Sequence, residues 1–212
     1  MKMFFPVNAC RYALWSLVSL SVASGADAEV VCGWHFNDLD GSELRMTADH
    51  GAGLLNRDHL GGSFLLYEGT ELNGLKGDRS GQAIGVRGSA ANGTWLELTC
   101  ATSPGVELCL DFAWRSTATG FDDNLVQRWD GLGWITLGAF GGDDAGAWTR
   151  AEFSFVGGLE GTRLRLLLDG ADGANGITRL DNLHVTGIPA PGAWALCGAG
   201  GMLGMGLRVR RA

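Results

Sequence analysis

The sequence predicts an all-β fold, an antiparallel β-sandwich, on three observations. Apolar and polar residues alternate with period two in nine short segments between Glu29 and Gly187. Glycine, aspartate or asparagine separates most of these segments, as tight turns require. No window between the same limits sustains a helical stripe over three turns. Alternate residues of such strands meet between two packed sheets.

The segments come in this order. "VVCGWHF" opens the domain with Val30, Cys32, Trp34 and Phe36 on one face. The stretch 38–56 is the least strand-like and reads as a short helix or a long loop. "SFLLYEG" follows, then "WLELTCA", whose apolar face is Leu96, Leu98 and Cys100. "VELCLDFAW" places Val106, Leu108, Leu110 and Phe112 inward and leaves Cys109 on the polar face. "NLVQRW", "GWITLGAF", "TRAEFSFV", "TRLRLLLD" and "ITRLDNLHVTG" complete the set.

The termini read differently. Lys2 and Arg11 precede the apolar run "YALWSLVSLSVASG", and "ADA" (Ala26 to Ala28) closes it. A charged start, a short apolar middle and an A-x-A exit describe a secretory signal peptide, cleaved after Ala28 by signal peptidase. The expected organisation is a signal-peptide helix over 1–28, a β-sandwich domain over 29–187 and a separate tail over 188–212.

Between Glu29 and Ile188 there are 22 acids and 11 bases, more acidic than the −7 of the whole chain. Such a domain repels phosphate backbones, so nucleic acid is excluded as a partner. About 160 residues suit one domain with a real core. Export implies an oxidising compartment, where Cys32, Cys100 and Cys109 matter. Cys100 and Cys109 flank the turn "TSPG", but residues paired across a hairpin must share a face, and these two do not. Cys32–Cys100 is compatible with the faces; three unpaired thiols are the alternative.

From 124 to 187 the strand order, the "WDGLGW" turn, the "FSF" strand, "GTRLRL" and the closing Asp181-Asn182-x-x-Val185 resemble the jelly-roll domains of exported bacterial proteins, of the MAM-like or galactose-binding-like kind. The resemblance implies that Asp181 and Asn182 are structural, binding loop backbone where the last strand enters the sheet.

The ending "IPAPGAWALCGAGGMLGMGLRVRRA" has a proline pair, an uncharged stretch and three arginines. As a helix, the apolar run would reach about 22 Å, short of a hydrocarbon core of ~30 Å. Motif, short transmembrane helix and arginine cluster together resemble the PEP-CTERM sorting signal. In that family an exosortase-type membrane protease recognises the motif and the tail is removed during export. The matching residues here are Pro189, Ala190, Pro191 and Gly192, with Arg208, Arg210 and Arg211 holding the end in the cytoplasm. Ala190 stands where the family usually has glutamate. The resemblance implies transient residence in the inner membrane, then the cell surface or extracellular matrix of Gram-negative-type bacteria, often with exopolysaccharide production.

No catalytic signature is present: no H-E-x-x-H, no G-x-S-x-G, no Walker loop. The expectation is a non-enzymatic protein without a cofactor. Asp49-His50 and Asp58-His59 carry zinc-type donors, but their spacing matches no usual arrangement, and a solvated loop explains them. Asp38, Asp40, Asp169 and Asp172 lie in Asp/Gly-rich loops that offer oxygens to a structural calcium, yet none fits the D-x-[DN]-x-[DN]-G loop. Trp129 and Trp134 bracket the turn "DGLG", and Trp148 follows another acidic loop. Exposed, these indoles would stack on sugars of an exopolysaccharide; buried, they are core, as Trp34, Trp95 and Trp114 are expected to be. A glycan-active enzyme would need two convergent carboxyls, which adjacent acids such as Asp122-Asp123 do not supply.

Overall fold

The computed structural model describes residues 28–142 and 146–188. The sorting residues Pro189, Ala190, Pro191, Gly192, Arg208, Arg210 and Arg211, together with Ala26 and both expected terminal helices, lie outside the described residues. Ala28 is described and exposed, just before the first strand. Among the described residues no helix is long and apolar enough to cross a membrane.

Among the described residues thirteen strands form two antiparallel sheets. The strands are β1 (Glu29–Trp34), β2 (Arg45–Thr47), β3 (His50–Gly51), β4 (Gly53–Asn56), β5 (Phe64–Glu68), β6 (Gln82–Arg87) and β7 (Thr94–Cys100). They continue with β8 (Glu107–Ser116), β9 (Asn124–Trp129), β10 (Trp134–Phe140), β11 (Thr149–Val156), β12 (Thr162–Leu168) and β13 (Ile177–Gly187). One sheet runs β11-β8-β13-β1-β3, with β6 also on β13 and β5 on β6; the other runs β10-β9-β12-β7-β4-β2.

The alternation seen in the sequence becomes the core. Leu96, Leu98 and Cys100 of β7, Leu164, Leu166 and Leu168 of β12, and Leu108, Leu110 and Phe112 of β8 are all buried between the sheets. Phe112 meets Phe140 of the opposite sheet edge-on, with centroids 5.0 Å apart. Cys32 of β1 and Cys100 of β7 are joined by a disulfide that ties one sheet to the other. Beside it the indole N–H of Trp34 donates to the Met46 carbonyl at 3.2 Å. A Cβ at Gly53 would lie 2.8 Å from the Cys32 Cβ and 2.9 Å from the Trp34 ring, so β4 approaches this junction only as glycine.

Three expectations are corrected. The stretch read as helix or loop contains β2, β3 and β4, strands of two to four residues that are too short to show a period. β6 was not expected either, because Gly85 interrupts its pattern; the Tyr67 ring lies 2.4 Å from where a Cβ would stand there. Cys100 and Cys109 do not flank a hairpin, because the chain between β7 and β8 passes from one sheet to the other. Cys109 does face away from the core, but it is buried, opposite Ser154 and Thr186. Burial, and the nearby charges of Glu152 and Asp111, push its thiol up to about 11, which leaves it unreactive.

The covering over that outer face is the loop 69–81, closed by the Gly69 N–H donating to the Gly81 carbonyl. β13 pairs with β6 through its first half and with β1 through its second, and its register shifts between Asp181 and His184. The loop enters at this fork. The Thr70 N–H donates to Asp181 Oδ2 at 2.7 Å, and Asn182 Nδ2 donates to the Thr70 and Leu72 carbonyls at 2.7 and 2.9 Å. Asn182 sits at φ 47°, the left-handed region that asparagine tolerates. Asn73 then donates to Asp111 and to the Asn182 carbonyl. Burial works against ionisation of Asp111, but hydrogen bonds from His184 and Asn73 and the charges of His184 and Arg150 outweigh it and hold its carboxyl below the usual range.

Asp181 is shifted the other way. Burial pushes its carboxyl up to about 7, the Thr70 and Asn182 N–H groups pull it back only in part, and Asp78 adds repulsion. The folded state therefore prefers the protonated acid more than the unfolded chain does. This contribution is complete below pH about 4 and is lost as pH rises through about 7. Chemical denaturation in metal-free buffer should show stability falling across that window, by roughly 4 kcal/mol at the upper limit. In Asp181→Asn the fall should be absent; an unchanged profile would contradict the assignment.

Candidate functional site

The face of the second sheet that points away from the core is built by the residues that alternate with the buried leucines. Across its six strands one row runs Thr136, Gln127, Arg165, Glu97, Asn56 and Arg45, each opposite the next. The row is held by its own hydrogen bonds: Gln127 Nε2 donates to Thr136 Oγ1 at 3.0 Å, and Arg165 Nε donates to Gln127 Oε1 at 2.7 Å. Diagonally, Arg163 donates through Nε and Nη2 to Glu97 Oε1 at 3.1 and 2.8 Å.

Three indoles stand among these groups. Trp134 is directly opposite Trp129, and the rings meet edge-on with centroids 5.5 Å apart. The Arg163 guanidinium lies 5.4 Å from the Trp129 ring and 5.5 Å from that of Trp134. Arg165 lies 4.5 Å from Trp134 and 5.4 Å from Trp95. Trp95 belongs to this outer face and not to the core: the alternation that buries Leu96 and Leu98 turns Trp95 and Glu97 outward. His59, in the short 3-10 turn Asp58–Ser63, stacks on Trp95 with centroids 4.1 Å apart. Trp34 and Trp114 are buried as expected.

At one end the face opens into a cleft of about 340 Å³ lined by Trp129, Asp130, Gly131, Leu159, Glu160 and Arg163, among others. Leu159 is 87% exposed within it, and Leu132, on the adjoining turn, is 94% exposed. Asp130 Oδ1 accepts the Leu132 and Gly133 N–H groups at 2.8 Å each, and these bonds hold its carboxyl below the usual range. Asp130 thus shapes the turn between Trp129 and Trp134.

The structure thus brings Trp129 and Trp134 together on one hairpin and leaves Trp148 half-buried just before β11, a strand of the other sheet. The aspartates weighed for calcium belong to separate loops. Asp38 and Asp40 follow β1, Asp40 accepting the Ser42 N–H and hydroxyl at 2.7 and 2.6 Å. Asp169 and Asp172 follow β12, Asp169 accepting the Gly170 N–H at 2.9 Å. Trp95, Glu97, Gln127, Arg163 and Arg165 were not foreseen as a site. Their signal is present in "WLELT" and "TRLRLLL", where large polar or aromatic residues alternate with leucine, but it needs the pairing of β7 with β12 to become one surface.

No family model and no curated protein matches the chain. Among solved structures it is similar to the xylan-binding domain CBM22-1 of Xyn10C from Paenibacillus barcinonensis, at 14% identity and a TM-score of 0.47, over 77% of this chain and 97% of that one. It is also similar to the CBM22-1 and GH10 modules of xylanase 10B from Clostridium thermocellum, solved with xylohexaose, at 16% identity and a TM-score of 0.47, over 78% of this chain and 30% of that one. The C-terminal CBM6 of LamC from Zobellia galactanivorans is similar at 13% identity and a TM-score of 0.40, over 58% of this chain and 88% of that one. At these identities and scores the likeness bears on neither ligand nor site residues.

Proposed function

We propose that this is an exported, non-enzymatic surface or matrix protein that binds polysaccharide across the outer face of its second sheet. The observation that carries the reading is the Trp129–Trp134 pair, fixed in orientation by Arg163 and Arg165 beside an open cleft. Flat apolar indole faces suit the C–H faces of sugar rings, and the flanking guanidinium, amide and hydroxyl groups suit their hydroxyls. Rings already held in place lose little freedom on binding. The arginines are met by Glu97 and Gln127, and Asp130 and Glu160 line the rim, so the ligand is a neutral, hydroxyl-rich chain and not a polyanion. Export, signal-peptidase cleavage and release by an exosortase-type protease rest on the terminal sequences, which fit a protein that works among exopolysaccharides outside the cell.

Affinity electrophoresis through gels containing xylan, β-glucan, galactan or the host's exopolysaccharide tests the reading. One or more should retard the protein. Trp129→Ala and Trp134→Ala should each weaken binding roughly 10-fold or more, whereas Trp148→Ala should leave it unchanged. Retention of full affinity in the Trp129/Trp134 double variant, or retardation by none of the four, would refute it.

A further inference from the structure

On the other sheet, three segments far apart in sequence bring two imidazoles and a carboxylate to one point. His35 follows β1, His50 lies on β3 opposite Gly33, and Asp78 belongs to the loop 69–81. One donor atom from each of the three lies within 4.8 Å of those of the other two; among the described residues this is the group of three or more His, Cys, Asp or Glu that converges so closely. The geometry points to a binding site for a zinc-class divalent transition metal on His35, His50 and Asp78, one that fastens the loop 69–81 to the β1–β3 edge.

The groups are held as ligands need to be. His50 Nε2 stands 3.3 Å from Asp78 Oδ1, which is already about the separation of two donors on a tetrahedral ion with bonds of ~2.0–2.2 Å. Asp78 is aimed by its own turn: Oδ2 accepts the Leu75 N–H at 3.2 Å, leaving Oδ1 toward His50. The two imidazole rings meet edge-on with centroids 5.9 Å apart, so a small swing of His35 completes three ligands. Asp49 Oδ2 accepts the His35 backbone N–H at 2.9 Å, and His35 Nδ1 accepts the Asn37 N–H at 3.2 Å; ligation through Nε2 gives up the Asn37 bond and moves the ring proton to Nδ1, where Asp49, 3.6 Å away, faces it as the outer carboxylate. His50 is 39% exposed at its side chain, which leaves a path for the ion and a fourth position for water. Two nitrogens and one oxygen exclude calcium, which takes six to eight oxygens, and favour zinc or a neighbouring late transition metal. The loop so fastened inserts Asn73 between Asp111 and Asn182 and meets Asn182 through Thr70 and Leu72, so the metal would hold the cover of β8 in place. The glycan face lies on the opposite sheet, and the two proposals stand or fall separately.

The test uses the full chain, stripped with a chelator and titrated with zinc chloride by calorimetry. One equivalent should bind saturably. His50→Gln and Asp78→Asn should each weaken binding by more than roughly 100-fold, and Asp49→Asn by about 10-fold. Should a variant fail to fold, histidine modification of the wild-type chain by diethyl pyrocarbonate, read by mass spectrometry, decides the matter. Zinc should protect His35 and His50 and leave the exposed His59 reactive. No saturable binding, binding that survives both substitutions, or protection that spares His35 and His50 would overturn the site.

Discussion

A chain beginning at Asn37 should not fold. It lacks β1, which sits between β13 and β3, and with it Cys32, Trp34 and, just beyond the strand, Phe36, all at most 2% exposed. Burying each large apolar side chain contributes ~1.5–3 kcal/mol, and a domain of this size has only ~5–15 kcal/mol of stability in total. Its loss would also leave Leu183 and Val185 of β13 without their strand partner and Cys100 without its bridge. Compared by calorimetry with a chain that begins at Glu29, the shortened chain should show no cooperative transition. An unchanged melting temperature would mean that "VVCGWHF" is not part of the core.

Cys32→Ala with Cys100→Ala should destabilise the protein by about 4 kcal/mol, the largest effect expected from side chains alone. The bridge closes a loop with a sequence separation of 68, and without it the unfolded chain regains the corresponding freedom. Both half-cystines are buried between the sheets, so the variant also loses packing at the point where Gly53 and Trp34 crowd together. In a domain of this length the melting temperature should fall by roughly 10–15 °C. Cys109 cannot substitute for either partner, because it faces away from the core and its buried thiol ionises only near 11. A drop of a degree or two would show that the sheets are held without the bridge.

What the sequence revealed follows from where the period-two signal is strong. β9, β11 and β13 run over the residues that their alternation indicates, because each has eight or more residues or clear turn residues at both ends. β2, β3 and β4 have two to four residues and carry no period, so the stretch that holds them looks irregular until Gly51 and Gly53 are seen against Val31 and Cys32. β6 was hidden by Gly85, a residue required by the Tyr67 ring above it and not by a turn. The candidate site was half legible. Trp129 and Trp134 sit on one hairpin, and local spacing puts them together. Trp95, Arg163 and Arg165 reach them only through the pairing of β12 with both β7 and β9, a long-range fact that no local pattern encodes. The histidine cluster is the extreme case: its members come from 35, 50 and 78, and Asp49-His50 by itself shows only a turn.

The most direct test of the proposed polysaccharide-binding face is to follow the indole N–H resonances of the described tryptophans by NMR while an oligosaccharide of a polysaccharide that retards the protein is added. Trp129 and Trp134 should shift together, with Trp95 following as the ligand extends along the row toward Glu97. Trp34, whose indole N–H is bonded to Met46 inside the core, and Trp114 should stay still, as should Trp148 just before β11 of the other sheet. Shifts confined to Trp148, or an unmoved Trp129–Trp134 pair under saturating ligand, would contradict the account.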